Sequence, residues 1–251
     1  MCPSTASPTR ARAAGRSRER SLRKRENTRA RLVEAAADVV ASKGIASTRI
    51  DDIVKKAGFT RGAFYSNYSS VEEVLREAIV ARAEFLAHQL REAVEAIEGP
   101  PSVDTLMEVL DAIRPEGRTM YILTTEYRLY RMRSPEAEEI PVARREQFSS
   151  LVAGTVQDAL ARMGRHPRVS PETLADVLAA FFLDSIASES DHACQGADDS
   201  DPRVLLRHVV EAVIIGLSEP IQGEPRPEDA QRVTRALNSW SRRARTDEKE
   251  R

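Results

Sequence analysis

The chain has 251 residues, 41% of them apolar, and a formal net charge of −1. No run approaches the roughly 20 uncharged apolar residues that a membrane helix needs, and two cysteines, Cys2 and Cys194, do not make a disulfide framework. The basic N-terminus has no apolar segment behind it, so no secretory signal is expected, and the expectation is a soluble protein of a reducing cytoplasm.

The small net charge conceals an asymmetry. Residues 1–70 hold 15 Lys and Arg against 6 Asp and Glu, a net of +9, and residues 71–251 carry −10. Basic charge gathered at one end is the footprint expected where a polyanion docks. An Arg-rich tail that is only solvated would give the same count over the first 25 residues.

Residues 1–26, rich in Ser, Ala, Pro and Arg without apolar periodicity, read as a flexible basic arm. From Asn27 the positions Leu32, Ala35, Ala36, Val39 and Val40 recur at helical spacing, and Gly44 stops the helix. A short helix follows in "STRIDDIVKKAG", capped by Ser47 or Thr48, with Asp51 and Asp52 in its first turn and Gly58 closing it. Thr60 caps a third helix from Arg61 to about Asn67. Three short helices, the last two joined by a turn of a few residues, predict a helix-turn-helix over 27–70.

Ser69 or Ser70 then caps a long helix from Val71 that is suited to linking two domains. Further helices are predicted over about 102–113, 116–133, 141–164, 171–189 and 202–218. Pro115, Pro135, Pro141, Pro167 and Pro171 stand at or near the breaks. "ESDHACQGADDSD" reads as a loop, and residues 220–251 as a charged tail with room for one short helix. With no alternating run long enough for a sheet, the predicted fold is all-α, with a larger helical domain over 71–219.

"TRGAFYSNY", residues 60–68, spends three rings on nine positions in a chain that is 5% aromatic. A recognition helix lies in a major groove about 12 Å wide with its first residues at base edges. Gly62 and Ala63 permit that approach, and Arg61 carries the planar fork that pairs with guanine O6 and N7. Tyr65 and Ser66 come one turn later. Phe64 points toward Ile50, Ile53 and Val54 as core, whereas Tyr68, past the helix end, is expected to hold a phosphate. Thr48, Arg49 and Thr60, at helix starts, add further phosphate contacts. Against this stands the plainer possibility that all three rings complete a small core.

The segment from Arg31 to Leu75 resembles the DNA-binding domain of the TetR family of bacterial transcriptional regulators. The resemblance rests on a helix ending in Lys-Gly, a Thr before the second helix, the turn Gly58-Phe59-Thr60, and the Gly-x-Phe-Tyr of the recognition helix. It implies a homodimer on a palindromic operator, usually a repressor released by a small molecule held in the C-terminal domain, acting at the bacterial nucleoid. It suggests DNA contacts at Thr48, Arg49, Thr60, Arg61, Gly62, Tyr65, Ser66, Asn67 and Tyr68. Many relatives carry Lys where this chain has Val71, so one phosphate contact is missing; the Arg-dense arm is a candidate to replace it.

In that family the last two long helices pair with their copies in the partner. Here their apolar stripes place Ala175, Leu178, Ala179, Phe182, Val209, Ala212, Val213 and Gly216 at an expected dimer interface. A ligand site is expected among helices from about 85 to 165. Met120, Leu123, Tyr127 and Tyr130 share one face, and Glu126 stands beside them to pair with an Arg or meet a cationic ligand; core packing would produce the same stripe. His88, His166, His192 and His208 are scattered and "DHAC" lacks two further ligands, so no metal, cofactor or enzymatic site is expected. The rival readings are a non-specific DNA-binding protein driven by the basic arm, a regulator without a small-molecule ligand, and a helical adaptor without DNA affinity.

Overall fold

The computed structural model of the chain describes residues 8–134, 136–140, 142–192 and 202–221, with residues 231 and 234. Eight helices and two short strands are found among the described residues: α1 Pro8–Lys43, α2 Ile50–Ala57, α3 Arg61–Tyr65, α4 Val71–Glu95, α5 Val103–Arg133, α6 Val142–Arg162, β1 Arg165–Pro167, α7 Pro171–His192, α8 Pro202–Gly216 and β2 Ser218–Pro220. The fold is all-α, as the sequence predicts.

The chain divides into two units. The first joins Met1–Ile79 to Glu126–Pro135, and the second joins Val80–Thr125 to Glu136–Arg251. These divisions fall inside α4 and α5, with the first turns of α4 and the last turns of α5 in the first unit.

In the first unit α1 starts at Pro8 instead of near Asn27, so residues 8–26, expected as a flexible arm, belong to a helix. Proline suits a first helical position, and the Ala, Arg, Glu and Leu that follow are strong helix formers. Periodicity misses such a stretch because a helix needs no apolar stripe to have helical propensity. Residues 1–7 lie outside the described residues. Leu32, Ala36 and Val40 of α1, Ile53 and Val54 of α2, Phe64 of α3 and Val74 and Leu75 of α4 are buried. Neither Ser47 nor Thr48 caps α2. The Thr48 hydroxyl donates to Gly44 O at 2.8 Å, and the cap is Arg49, whose amide donates to Asp52 Oδ2 at 2.9 Å. Gly58 ends α2 at φ 73, a left-handed conformation costly to any residue with a Cβ.

The second unit holds the larger core, in which Leu86, Met107, Ile113, Leu160, Phe182 and Val210 come from five different helices. Pro115 does not break the chain into two helices: α5 runs through it. Two residues on, a Cβ at Gly117 would stand 2.7 Å from Phe182 Cε1 and 2.8 Å from Ile186 Cδ1, so α5 passes under α7 too closely for a side chain. Packing at that crossing outweighs the hydrogen bond that proline forfeits. Nearby, buried Arg114 pairs with Asp111 at 3.1 Å and Glu189 at 2.9 Å, which a desolvated guanidinium requires.

Arg162, last in α6, closes the end of α4: Nη1 donates to Val94 O at 2.7 Å and Nη2 to Gly99 O at 2.7 Å and to Ile97 O. The unpredicted strands pair antiparallel, Arg165 with Pro220 and Pro167 with Ser218. α7 continues to His192, three residues beyond its expected end, so only 193–201 of the expected loop, with Cys194, lie outside the described residues; most of the 220–251 tail does too. Among the described residues no helix is long and apolar enough to cross a membrane.

Candidate nucleic-acid interface

Gly58 and Phe59 return the chain from α2 to α3, with the Phe59 amide donating to Val54 O at 2.9 Å and the Arg31 guanidinium 4.9 Å above the Phe59 ring. Thr60 opens α3 by accepting from the Ala63 amide at 3.3 Å, the cap its position predicted. One turn of helix then sorts its side chains. Phe64 is fully buried and Tyr65 is 60% exposed, while Arg61, Gly62 and Ser66 face outward. A Cβ at Gly62 would meet nothing nearer than Thr60 Oγ1 at 3.7 Å. The space in front of Gly62 is thus left open to a partner.

Six of the nine expected contact residues, Arg49, Thr60, Arg61, Gly62, Tyr65 and Ser66, are exposed. Three are not. Thr48 is buried, with its hydroxyl committed to Gly44. Asn67 is half-buried, and its Nδ2 donates to Ala63 O at 2.8 Å. Tyr68, expected on the duplex face, is 2% exposed. α3 ends at Tyr65, so the chain turns Tyr68 back onto Phe64, 5.8 Å between ring centroids, and the Arg29 guanidinium covers it at 5.1 Å. Burial, then the neighbouring Glu77 carboxylate, push the Tyr68 phenol above its ordinary range.

Cations here are held by acids. Arg29 Nε donates to Glu77 Oε1 at 2.8 Å, Lys56 pairs with Asp38 at 3.0 Å, and Lys43 pairs with Asp52. That lysine, and then the Arg49 amide, hold the Asp52 carboxyl below the usual carboxylate range. Arg61 donates from Nε to Asp51 Oδ1 at 2.5 Å and from Nη2 to Asp51 Oδ2 at 2.6 Å. Asp51, which sequence reasoning placed only as a first-turn acid, is therefore part of the exposed edge.

Leu123 and Tyr127 are buried, and Glu126 Oε2 accepts from the Ile45 amide at 2.9 Å, which binds it to the turn after α1. Tyr127 and Tyr130 lie against each other, 6.1 Å between centroids. A cavity of about 120 Å³ lies in the second unit, among Leu86, Val109, Phe148, Thr155, Phe182 and Ile214, and neither Met120 nor any of those other four lines it.

The expected dimer residues divide between buried and more exposed positions. Ala175, Phe182, Val209 and Val213 are buried within the chain, and Ala175, Leu178, Ala179 and Phe182 line the cavity, because the apolar stripes of α7 and α8 face their own core. Ala212 is half-buried and Gly216 exposed.

The family model of bacterial regulatory proteins, tetR family, matches residues 32–78. The HTH-type transcriptional regulator SrpR of Pseudomonas putida is 39% identical over 57 residues; the match covers 23% of this chain and only 27% of SrpR. The uncharacterized HTH-type regulator YfiR of Bacillus subtilis is 27% identical over 160 residues, 63% of this chain and 76% of YfiR. Among solved structures, Salmonella enterica GusR superposes with a TM-score of 0.55 at 24% identity, covering 74% of this chain and 95% of GusR, a likeness of fold. These relatives are regulators, not enzymes. With the helix-turn-helix in place and these likenesses beside it, residues 32–78 carry the DNA-binding domain of bacterial regulatory proteins of the tetR family, and the chain is similar to HTH-type transcriptional regulators.

Proposed function

We propose that this chain represses transcription as a homodimer on a palindromic operator in the bacterial cytoplasm, at the nucleoid, and lets go when a small apolar molecule enters the cavity of the second unit. The observation that carries the DNA-reading part is the exposed edge of α3, where Arg61, Gly62 and Tyr65 face outward over a fully buried Phe64. Arg61 brings the donors that guanine accepts, Gly62 leaves room for the approach, and Tyr65 and Ser66 follow one turn on. Arg49 and Thr60 supply phosphate contacts. Outward faces of α7 and α8, Ala212 and Gly216 among them, make the dimer, which sets the two α3 helices about 34–36 Å apart, one turn of duplex. The basic helix ahead of residue 27 adds charge to the phosphate contacts.

Selection of duplexes from a random pool, with and without cell extract, tests this. The expected product is a palindrome whose enrichment falls when extract is present. Arg61→Ala then weakens the selected sequence by about 1–3 kcal/mol and relaxes the choice of base at one position of each half-site. Equal affinity for every duplex, or a monomer in solution, would overturn the proposal.

A further inference from the structure

The Arg61 side chain is not loose at the surface, and its partner leaves a particular part of it free. A guanidinium has five N–H groups arranged along three edges. Asp51 takes the edge formed by Nε and Nη2, at 2.5 and 2.6 Å, in a two-point, side-on pair. The edge left open is the end-on one, where one N–H of Nη1 and one of Nη2 run parallel, the arrangement that fits O6 and N7 of guanine. Asp51 stands in the first turn of α2, and Arg61 is the first residue of α3, so the pair crosses the helix-turn-helix at its outer edge. Both side chains are exposed.

We infer that Asp51 is a positioning residue for sequence reading: it holds the side-on edge of Arg61 so that the end-on edge meets guanine already oriented. This rests on the reading of Arg61 given above. A long side chain loses rotamer freedom when it docks, and an acid that has already restricted it removes part of that cost from the specific complex. The same acid carries negative charge to a face that meets phosphates, and so weakens attachment to any duplex whatever its sequence. Asp51 therefore lowers general affinity and raises discrimination, two effects of opposite sign.

The measurement is fluorescence anisotropy of the full chain on its selected operator, on that operator with the Arg61-dependent base pair replaced, and on an unrelated duplex. Wild type, Asp51→Asn, Asp51→Ala, Arg61→Ala and the Asp51→Ala/Arg61→Ala double variant are compared, with melting temperatures confirming that each is folded. Removing Asp51 is expected to cut discrimination at that base pair about tenfold, and to tighten binding to the unrelated duplex. In the Arg61→Ala background the Asp51 substitution is expected to leave discrimination unchanged, a result that a merely structural role would not give. Unchanged or increased discrimination on removing Asp51 overturns the inference while leaving the Arg61 reading intact. If no base pair depends on Arg61 at all, both are overturned. Should Asp51→Ala melt early, Asp51→Asn, of the same shape without the charge, decides.

Discussion

Tyr65 and Tyr68 stand three positions apart and do different work, because α3 ends at Tyr65 and the following turn carries Tyr68 inward. Tyr68→Ala removes a ring buried between Phe64 and Arg29, and is expected to cost about 3–5 kcal/mol in denaturant unfolding. Tyr65→Ala is expected to change stability by no more than about 0.5 kcal/mol while weakening operator binding. Their alternation of roles was half legible: the order of Phe64 and Tyr65 follows from helical period, but the sequence holds no local sign that Arg29, 39 positions earlier, covers Tyr68. Glu73 behaves as a pH reporter for the same unit. Its carboxylate accepts from the Ser69 amide at 2.6 Å and the Ser69 hydroxyl at 2.7 Å, which hold it below its ordinary value of 4.5. A carboxylate depressed in the folded state contributes stability that is present above the unfolded value and is lost as pH falls through the folded one. Thermal melts are thus expected to fall as pH drops below 4.5, with a shallower slope in Glu73→Gln.

At the scale of elements, the helices with plain punctuation were read with little error. Gly44, Gly58, Thr60 and Ser70 stop or start helices where their chemistry says they should. What escaped was any feature whose cause lies far along the chain. The crossing of α5 and α7 at Gly117 keeps a helix running through Pro115, and β1 and β2 are three residues each, joined across 53 positions from Arg165 to Ser218 by a hydrogen bond of 2.7 Å. The cap that Arg162 places on α4 belongs to the same class. Arg162→Ala leaves carbonyls of Val94, Ile97 and Gly99 without that donor and is expected to cost about 1–3 kcal/mol, with faster amide exchange confined to the C-terminal turn of α4 and the residues after it. Unchanged exchange there would mean that solvent satisfies those carbonyls as well as the guanidinium does.

For the molecule as a whole, the residues expected at a ligand site and the walls of the cavity in the second unit are different sets. Tyr127 and Tyr130 of α5 belong to the first unit, and the cavity of the second draws its walls from α4 to α8, a set that no single periodic run displays. Walls such as Leu86, Phe148 and Phe182 carry no charge, and the Thr155 hydroxyl among them already donates to Leu151 O at 3.1 Å. Dry cavities of this size admit benzene-sized guests. Benzene near saturation is expected to raise the melting temperature of the wild type but not of Ala159→Phe, which fills the space; binding at a hundredfold excess over Kd corresponds to about 2.7 kcal/mol. The first unit, for its part, is built from two separated lengths of chain. Anyone wishing to graft this DNA-binding domain onto another protein cannot simply cut after Ile79, because the Ile45 amide finds its acceptor on Glu126, 81 positions downstream, and a transplant lacking that carboxylate would arrive with the turn ahead of its second helix unfastened.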